Sequence, residues 1–400
     1  MRKSSSSGST NQTTKDNAPS SSSSRRFHFL YITVVIAVGI FNVTIFPIFG
    51  EIFFKTTIQQ QQQQQSPLAL NAQDNTKDAT SFKIEAEEDF GKDRVVQILH
   101  KAGVEVAADM VDKLPPYSSA VAQYGSEPII IGLDGDICPN YRARVPLDQR
   151  WVGVAGMMNT GTHLLYFLLS KNCHIPRPIK SKWHRSSSFF QVEWGKHAPA
   201  SWYKRHRSGM YDQLKIDVPV ENILTVVTTK DPYHWMGSMC RKSYTTNWFH
   251  TEKNCPNLIK NGQPNPARVR YSAENITHHE TLLGVWNDYY NGYVHAEFPK
   301  LLIRYEDLIF HQEHVVGQVC KCIGGTMSSD DFTPVKESAK GNQPAHVGGS
   351  DLVQSVMRYG DAKKRAEGFS DVDREYAEKA VDKDLVKMFG YKSESRIDEN

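Results

Sequence analysis

The chain has 400 residues, 39% apolar, 10% aromatic and 23% charged, which excludes a coiled coil, a collagen-like protein and a wholly disordered one. A formal net charge of +3 is too small for a nucleic-acid binder that works through a concentrated basic face. Six cysteines exclude a disulfide-dense mini-protein, yet they leave room for a few bridges in an oxidising compartment.

Residues 1–26 read as a disordered cytoplasmic tail, because the serine runs Ser4–Ser7 and Ser20–Ser24 cannot bury enough apolar surface to fold. Phe27–Phe49 then runs for 23 residues without a formal charge. At 1.5 Å per residue a helix of that length is about 34 Å long, enough to cross a bilayer core of roughly 30 Å. The run is also longer than the apolar part of a cleaved signal peptide, which is about 7–15 residues. Arg2, Lys3, Lys15, Arg25 and Arg26 precede it against Asp16 alone, whereas Glu51 and Lys55 behind it cancel. The expectation is a transmembrane signal anchor in a single-pass type II arrangement, with everything after about residue 55 in the lumen. All six cysteines (Cys138, Cys173, Cys240, Cys255, Cys320 and Cys322) fall there. So does the glycosylation acceptor Asn275-Ile276-Thr277. Asn11-Gln12-Thr13 would lie on the cytoplasmic side and Asn42-Val43-Thr44 within the span.

Residues 50–125 read as a lumenal stem, flexible through Gln59–Gln65 and Ser66-Pro67 and partly helical over Val95–Met110. From 126 to 392 the apolar runs Pro128–Leu133, Trp151–Ala155, Ile223–Thr228 and Leu301–Arg304 look like strands. They alternate with helical patterns at Leu164–Ser170, Thr281–Val294 and Val372–Phe389. The alternation predicts an α/β domain, a three-layer α/β/α arrangement around a central parallel sheet. Residues 393–400 are a C-terminal tail. Cys240 and Cys255 are placed to close the Lys242–Asn254 loop, but six cysteines allow 15 connectivities and spacing alone does not choose among them.

Between the strand pattern at Trp151 and the helix pattern at Leu164 runs Gly156-Met157-Met158-Asn159-Thr160-Gly161-Thr162-His163. A strand, a glycine-bearing loop and a helix N-terminus form a phosphate cradle of backbone amides. The spacing is that of a P-loop, but Thr162 stands where its lysine belongs and His163 where its magnesium-binding hydroxyl belongs. Such a loop holds an anion without the parts for magnesium-dependent phosphoryl transfer. A second segment, Lys230-Asp231-Pro232 with Ser238 eight residues after the lysine, follows the strand pattern Ile223–Thr228. Proline permits a helix start, which lets Lys230 and Ser238 converge on one anion two turns apart. A third is the strand end Leu301–Leu308, LLIRYEDL, and the chain closes on Phe389-Gly390-Tyr391.

In order and spacing these segments resemble the sulfotransferase family over about residues 150–391. The resemblance implies a P-loop-like phosphosulfate-binding loop for the co-substrate 3′-phosphoadenosine 5′-phosphosulfate, held by Gly156, Asn159, Thr160, Gly161, Thr162 and His163. It implies that Lys230 and Ser238, with lysine for the usual arginine, grip the 3′-phosphate and that Tyr305 lies near the nucleotide. The family's loop carries a lysine where this chain has Asn159, so His163 or another cation has to stabilise the departing oxygen. No metal is required, since the donor is already activated. Lys196-His197-Ala198-Pro199 is similar to the family's Lys-x-His-x-Pro element, although the lysine is adjacent to the histidine. That nominates His197, beside Lys196, as the general base that removes the acceptor's proton. His184 and Glu193 are the rival bases.

The acceptor implied is a hydroxyl of a glycan in the Golgi. Lys180, Lys182, Arg185, Lys196, Lys204, Arg205 and Arg207, interleaved with Trp183, Trp194, Trp202 and Tyr203, suit an anionic polysaccharide, and an acidic tyrosine-containing protein segment would be attracted by the same charges. Two rival readings stand beside this one. Ile129–Leu133 followed by Asp134-Gly135-Asp136 has the Asp-x-Asp pattern of a Golgi type II glycosyltransferase that holds a metal and a sugar nucleotide, although a Leu-Asp-Gly-Asp turn accounts for the same residues. Asn159 admits a donor-binding or lectin-like protein without efficient turnover.

Overall fold

The computed structural model describes residues 91–176, 188–328, 331–336 and 351–392. The segment expected to span a membrane, 27–49, lies outside the described residues, as do the glutamine-rich stretch and His184 with its basic neighbours at 177–187. Among the described residues no helix is long and apolar enough to cross a membrane.

The main sheet of the described residues has five strands: β1 (Ile130–Ile131), β2 (Trp151–Gly156), β3 (Phe189–Gln191), β4 (Ile223–Thr229) and β5 (Lys300–Arg304). They lie in the order β1-β5-β4-β2-β3. β2, β4 and β5 are parallel neighbours, with Gly156 opposite Thr228 and Thr229 opposite Arg304, and β3 is parallel to β2. Every residue of β2 and β4 is buried, so both faces of the sheet's centre are covered.

The sheet is not wholly parallel, which corrects the expectation. β1 runs antiparallel to β5, pairing Ile130 with Ile303 and Ile131 with Leu302, and the sheet is mixed. An apolar run carries no direction, and β1 is a two-residue edge strand entered from a helix at Tyr117–Tyr124 rather than through a crossover. The reversal has a consequence for the rival site. β1 leads away from the ends of the parallel strands where Gly156 and Thr229 lie. A Cβ on Gly132 would meet the Lys300 carbonyl at 2.8 Å, at the start of β5.

Five helices are needed below: α1 (Thr162–Asn172), α2 (Pro232–Arg241), α3 (Leu282–Val294), α4 (Gln312–Ile323) and α5 (Leu352–Tyr359). Thr281 caps α3 by accepting from the Gly284 amide. The helical pattern at Val372–Phe389 divides into Asp371–Ala380 and Lys383–Met388, because Asp382 turns to cap the second piece. The pattern at Val95–Met110 stops at Lys101, where Gly103 takes a φ of 65°. The core begins before residue 126, since Val95, Leu99, Tyr117, Ala120 and Tyr124 are buried in it with the strands.

All six cysteines are paired. Cys138–Cys322 and Cys173–Cys320 tie the helix Ile137–Arg144 and the end of α1 to α4, and Cys240–Cys255 closes the expected loop. These bridges are compatible with a secreted or lumenal protein.

Candidate functional site

After β2 the chain turns to β3 on one side, and after β4 it turns to β5 on the other. The crevice beyond the ends of β2 and β4 is therefore a topological switch point, where open α/β sheets take their ligands. Gly156, Lys230 and Tyr305 all lie at this edge, each at or just past the end of its strand.

The loop after β2 is folded tightly enough to need its two glycines. A Cβ on Gly156, at φ 152°, would lie 2.2 Å from Thr228 Oγ1, and one on Gly161, at φ 80°, would lie 2.3 Å from the Tyr305 ring. Thr160, fully buried, donates to the Met157 carbonyl at 2.7 Å and shares a 2.9 Å hydrogen bond with Thr228 Oγ1. Trp235 Nε1 donates to the Met158 carbonyl at 2.9 Å, pinning the loop to α2. Gly161 precedes α1 without a side-chain cap, so the first turn at Thr162 and His163 presents its amides to the loop.

Asn159 is engaged elsewhere. Its Nδ2 donates to the Lys242 carbonyl at 2.8 Å and to the Ser238 carbonyl at 3.3 Å, at the C-terminal end of α2. The positive φ of 68° that turns it this way is one asparagine tolerates. A cation reaches the loop from another segment. Lys196 Nζ lies 3.4 Å from His163 Nδ1, and because an ammonium only donates, His163 accepts through that nitrogen.

His197 sits beside this pair, half-buried, with Nδ1 2.7 Å from the Gly156 carbonyl. A carbonyl only accepts, so Nδ1 carries a hydrogen, and in the neutral ring this makes Nε2 the acceptor nitrogen, the tautomer a general base needs. The structure thus brings together His197, Lys196, His163 and the loop. Glu193, the third candidate base, is engaged differently: its Oε1 pairs with Arg207 Nη1, while Arg207 Nε holds Asp212 at 2.9 Å.

Lys230 is 3% exposed, its Nζ 3.9 Å from the Tyr305 ring centroid and donating to the Tyr359 hydroxyl at 2.9 Å. Burial pushes its ammonium below the ordinary value, against the opposing pull of Tyr359 and Glu306. Ser238 Oγ donates to the His234 carbonyl at 2.8 Å and accepts from Arg241 Nη2 at 3.1 Å. Burial alone would raise the Tyr359 phenol. The charge of Lys230 and its hydrogen bond, then the Ser238 hydroxyl and the charge of Arg241, outweigh it and draw the group below its usual value. Lys230 thus reaches the Tyr359 hydroxyl, and Arg241 reaches the neighbouring Ser238 Oγ. The neighbouring His234 is buried and held well below its ordinary value, by desolvation first and then by the charges of Arg365, Lys230, Arg241 and Arg358.

Arg241, Arg358 and Tyr359 escape a reading of the sequence. Tyr359 stands 129 residues from Lys230, and no local pattern marks it. The acids behind Lys230 escape it too. Asp231 caps α2 through Oδ1, accepting from the Tyr233 and His234 amides, while its Oδ2 takes Arg365 Nε at 2.9 Å and Nη2 at 2.7 Å. Glu306, fully buried, accepts from the Asp231 amide and the Tyr391 hydroxyl, each at 3.1 Å. Desolvation, helped by the charge of Asp231, raises its carboxyl from 4.5 to about 7.

Asp134, Gly135 and Asp136 lie exposed on a turn before the helix Ile137–Arg144. No third metal-ligating side chain joins them among the described residues. No family model matches the chain, and no curated protein is significantly similar to it.

Proposed function

We propose that the chain is a sulfotransferase, which moves the sulfuryl group of 3′-phosphoadenosine 5′-phosphosulfate to a hydroxyl of a glycan in the lumen of the secretory pathway. The observation that carries this reading is the cluster in which Lys230 donates to the Tyr359 hydroxyl and Arg241 to Ser238 Oγ, beside the glycine-bearing loop at the same sheet edge. Two separate anion cradles suit a ligand with a phosphate at one end and a phosphosulfate at the other. In this reading the loop amides and the first turn of α1 take the phosphosulfate, and Lys230, Ser238 and Arg241 take the 3′-phosphate. Tyr305, packed between loop and lysine, lies along the nucleotide.

For transfer, His197 Nε2 accepts the acceptor's proton as its oxygen attacks sulfur. The bond to the Gly156 carbonyl keeps the ring in the right tautomer. Negative charge then develops on the oxygen that leaves with the nucleotide. Lys196, close to His163 at the α1 N-terminus, supplies the positive charge there that Asn159 does not. The exposed cations after His197, among them Lys204 and Arg205, suit an acceptor with acidic groups, whether an anionic polysaccharide or a tyrosine-containing segment.

The test is a titration with the sulfate donor, its 3′-phosphate product and several sugar nucleotides, with and without manganese. Tight binding of the first two, indifferent to manganese, supports the proposal. Manganese-dependent binding of a sugar nucleotide alone overturns it and revives the Asp134-Gly135-Asp136 reading. Tight donor binding with no transfer to any glycan or tyrosine peptide makes the chain a binding protein, as the diversion of Asn159 toward α2 would favour.

A further inference from the structure

Asn275-Ile276-Thr277 has the form of an acceptor for an asparagine-linked oligosaccharide, and the fold sets it on a surface that can carry one. Ala267–Arg270 and Ile276–His279 form an antiparallel hairpin, with Ile276 opposite Arg270. Asn275 ends the turn between them, inside a run of exposed residues from 272 to 276. The turn is held by one hydroxyl. Ser272 Oγ accepts from the Asn275 amide at 3.1 Å and from Asn275 Nδ2 at 2.8 Å, while the Asn275 carbonyl accepts from the Tyr271 amide at 2.9 Å. Next to it Ile276 is 40% exposed, one of the few large apolar side chains left at the surface.

We infer that Asn275 is a site of N-linked glycosylation, which rests on the lumenal part of the functional reading and not on the transfer chemistry. The co-reactant is an oligosaccharide on a polyprenyl diphosphate. A bond forms between Asn275 Nδ2 and the first sugar carbon as the bond from that carbon to the diphosphate oxygen breaks. One amide hydrogen leaves as a proton and the lipid diphosphate departs with the electron pair. The second hydrogen on Nδ2 stays, so the modified nitrogen still donates to Ser272 Oγ and the turn keeps its geometry. Thr277, whose hydroxyl the acceptor sequence requires, is half-buried with Oγ1 2.8 Å from His279 Nε2. The hydroxyl is committed once the hairpin closes, which places the modification before folding is complete. Afterwards the sugar stands over Ile276 and shields it from other chains.

The experiment expresses the full chain in a eukaryotic secretory host as wild type, Asn275→Gln and Thr277→Ser. Electrophoretic mobility is compared before and after peptide N-glycosidase, and thiols are counted with a maleimide–polyethylene glycol reagent. Wild type and Thr277→Ser should each lose one glycan, with its mass on the peptide that holds Asn275. Asn275→Gln should migrate with the enzyme-treated wild type and show the same absence of reactive thiols, which separates loss of the sugar from failure to fold. An unmodified wild type with all thiols oxidised overturns the glycan and leaves the compartment standing. Unmodified protein with reactive thiols overturns both, and a glycan that survives Asn275→Gln moves the modification to another site.

Discussion

Truncating Lys230 removes the ammonium that donates to the Tyr359 hydroxyl, and it does so where water cannot take its place. A hydrogen bond to a charged group contributes about 1.5–3 kcal/mol, so Lys230→Ala should weaken binding of 3′-phosphoadenosine 5′-phosphate roughly 10- to 150-fold. Calorimetry checks this, and equal affinities would remove Lys230 from the site. His197→Ala acts on the other partner. Turnover should fall by roughly 10²–10⁴-fold, with donor affinity nearly intact, since the histidine serves the acceptor. Asn159→Lys supplies the lysine that the proposed function would call for, but the asparagine is already engaged with α2. The change forfeits the bonds to the Lys242 and Ser238 carbonyls at about 1 kcal/mol each and places a longer side chain at φ 68°. Lower thermal stability and no gain in rate are expected. A faster enzyme would show that Lys196 does not fill the role.

Helix α2 shows what an element's sequence carries and what it leaves out. Asp231-Pro232 announces a helix start, and the Asp231 carboxylate does cap the first turn. The same carboxylate's second oxygen holds Arg365, 134 residues away and equally buried, and nothing local signals that pairing. Asp231→Ala would remove the cap and leave a guanidinium in the interior without its carboxylate, at a cost of about 3–5 kcal/mol. Urea unfolding measures it, and a loss below about 1 kcal/mol would mean the pair is dispensable. The strands divide in the same way. Trp151–Ala155 and Ile223–Thr228 are legible because they are rich in apolar and β-branched residues, the mark of strands buried on both faces. The direction of Ile130–Ile131 is not legible, since two isoleucines pair equally well either way and only the preceding chain decides.

Across the whole molecule, the sequence exposes the loop and Lys230, because each sits at a strand end that composition marks, Ser238 by its spacing from Lys230, and His197 only through the resemblance of its Lys196-His197-Ala198-Pro199 segment. It hides Arg241, Arg358, Tyr359 and the acids behind Lys230, because long-range folding alone assembles them. That buried acid should be visible in the pH dependence of stability. Glu306 titrates at about 7 in the folded chain against 4.5 for an ordinary carboxyl, so the folded state holds the extra proton between those values. Its contribution is complete below the lower value and is lost as pH rises through the higher one. Thermal unfolding compared at about pH 5 and about pH 8 should show a steeper loss for wild type than for Glu306→Gln, and parallel curves would remove Glu306 from the account. The proposed sulfuryl transfer is tested most directly with purified protein, donor carrying radiolabelled sulfate, and a desulfated anionic polysaccharide as acceptor. Label should appear on the polysaccharide with wild type and fall by at least about 100-fold with His197→Ala. Transfer at full rate by His197→Ala, or no transfer by wild type that binds donor tightly, would contradict it.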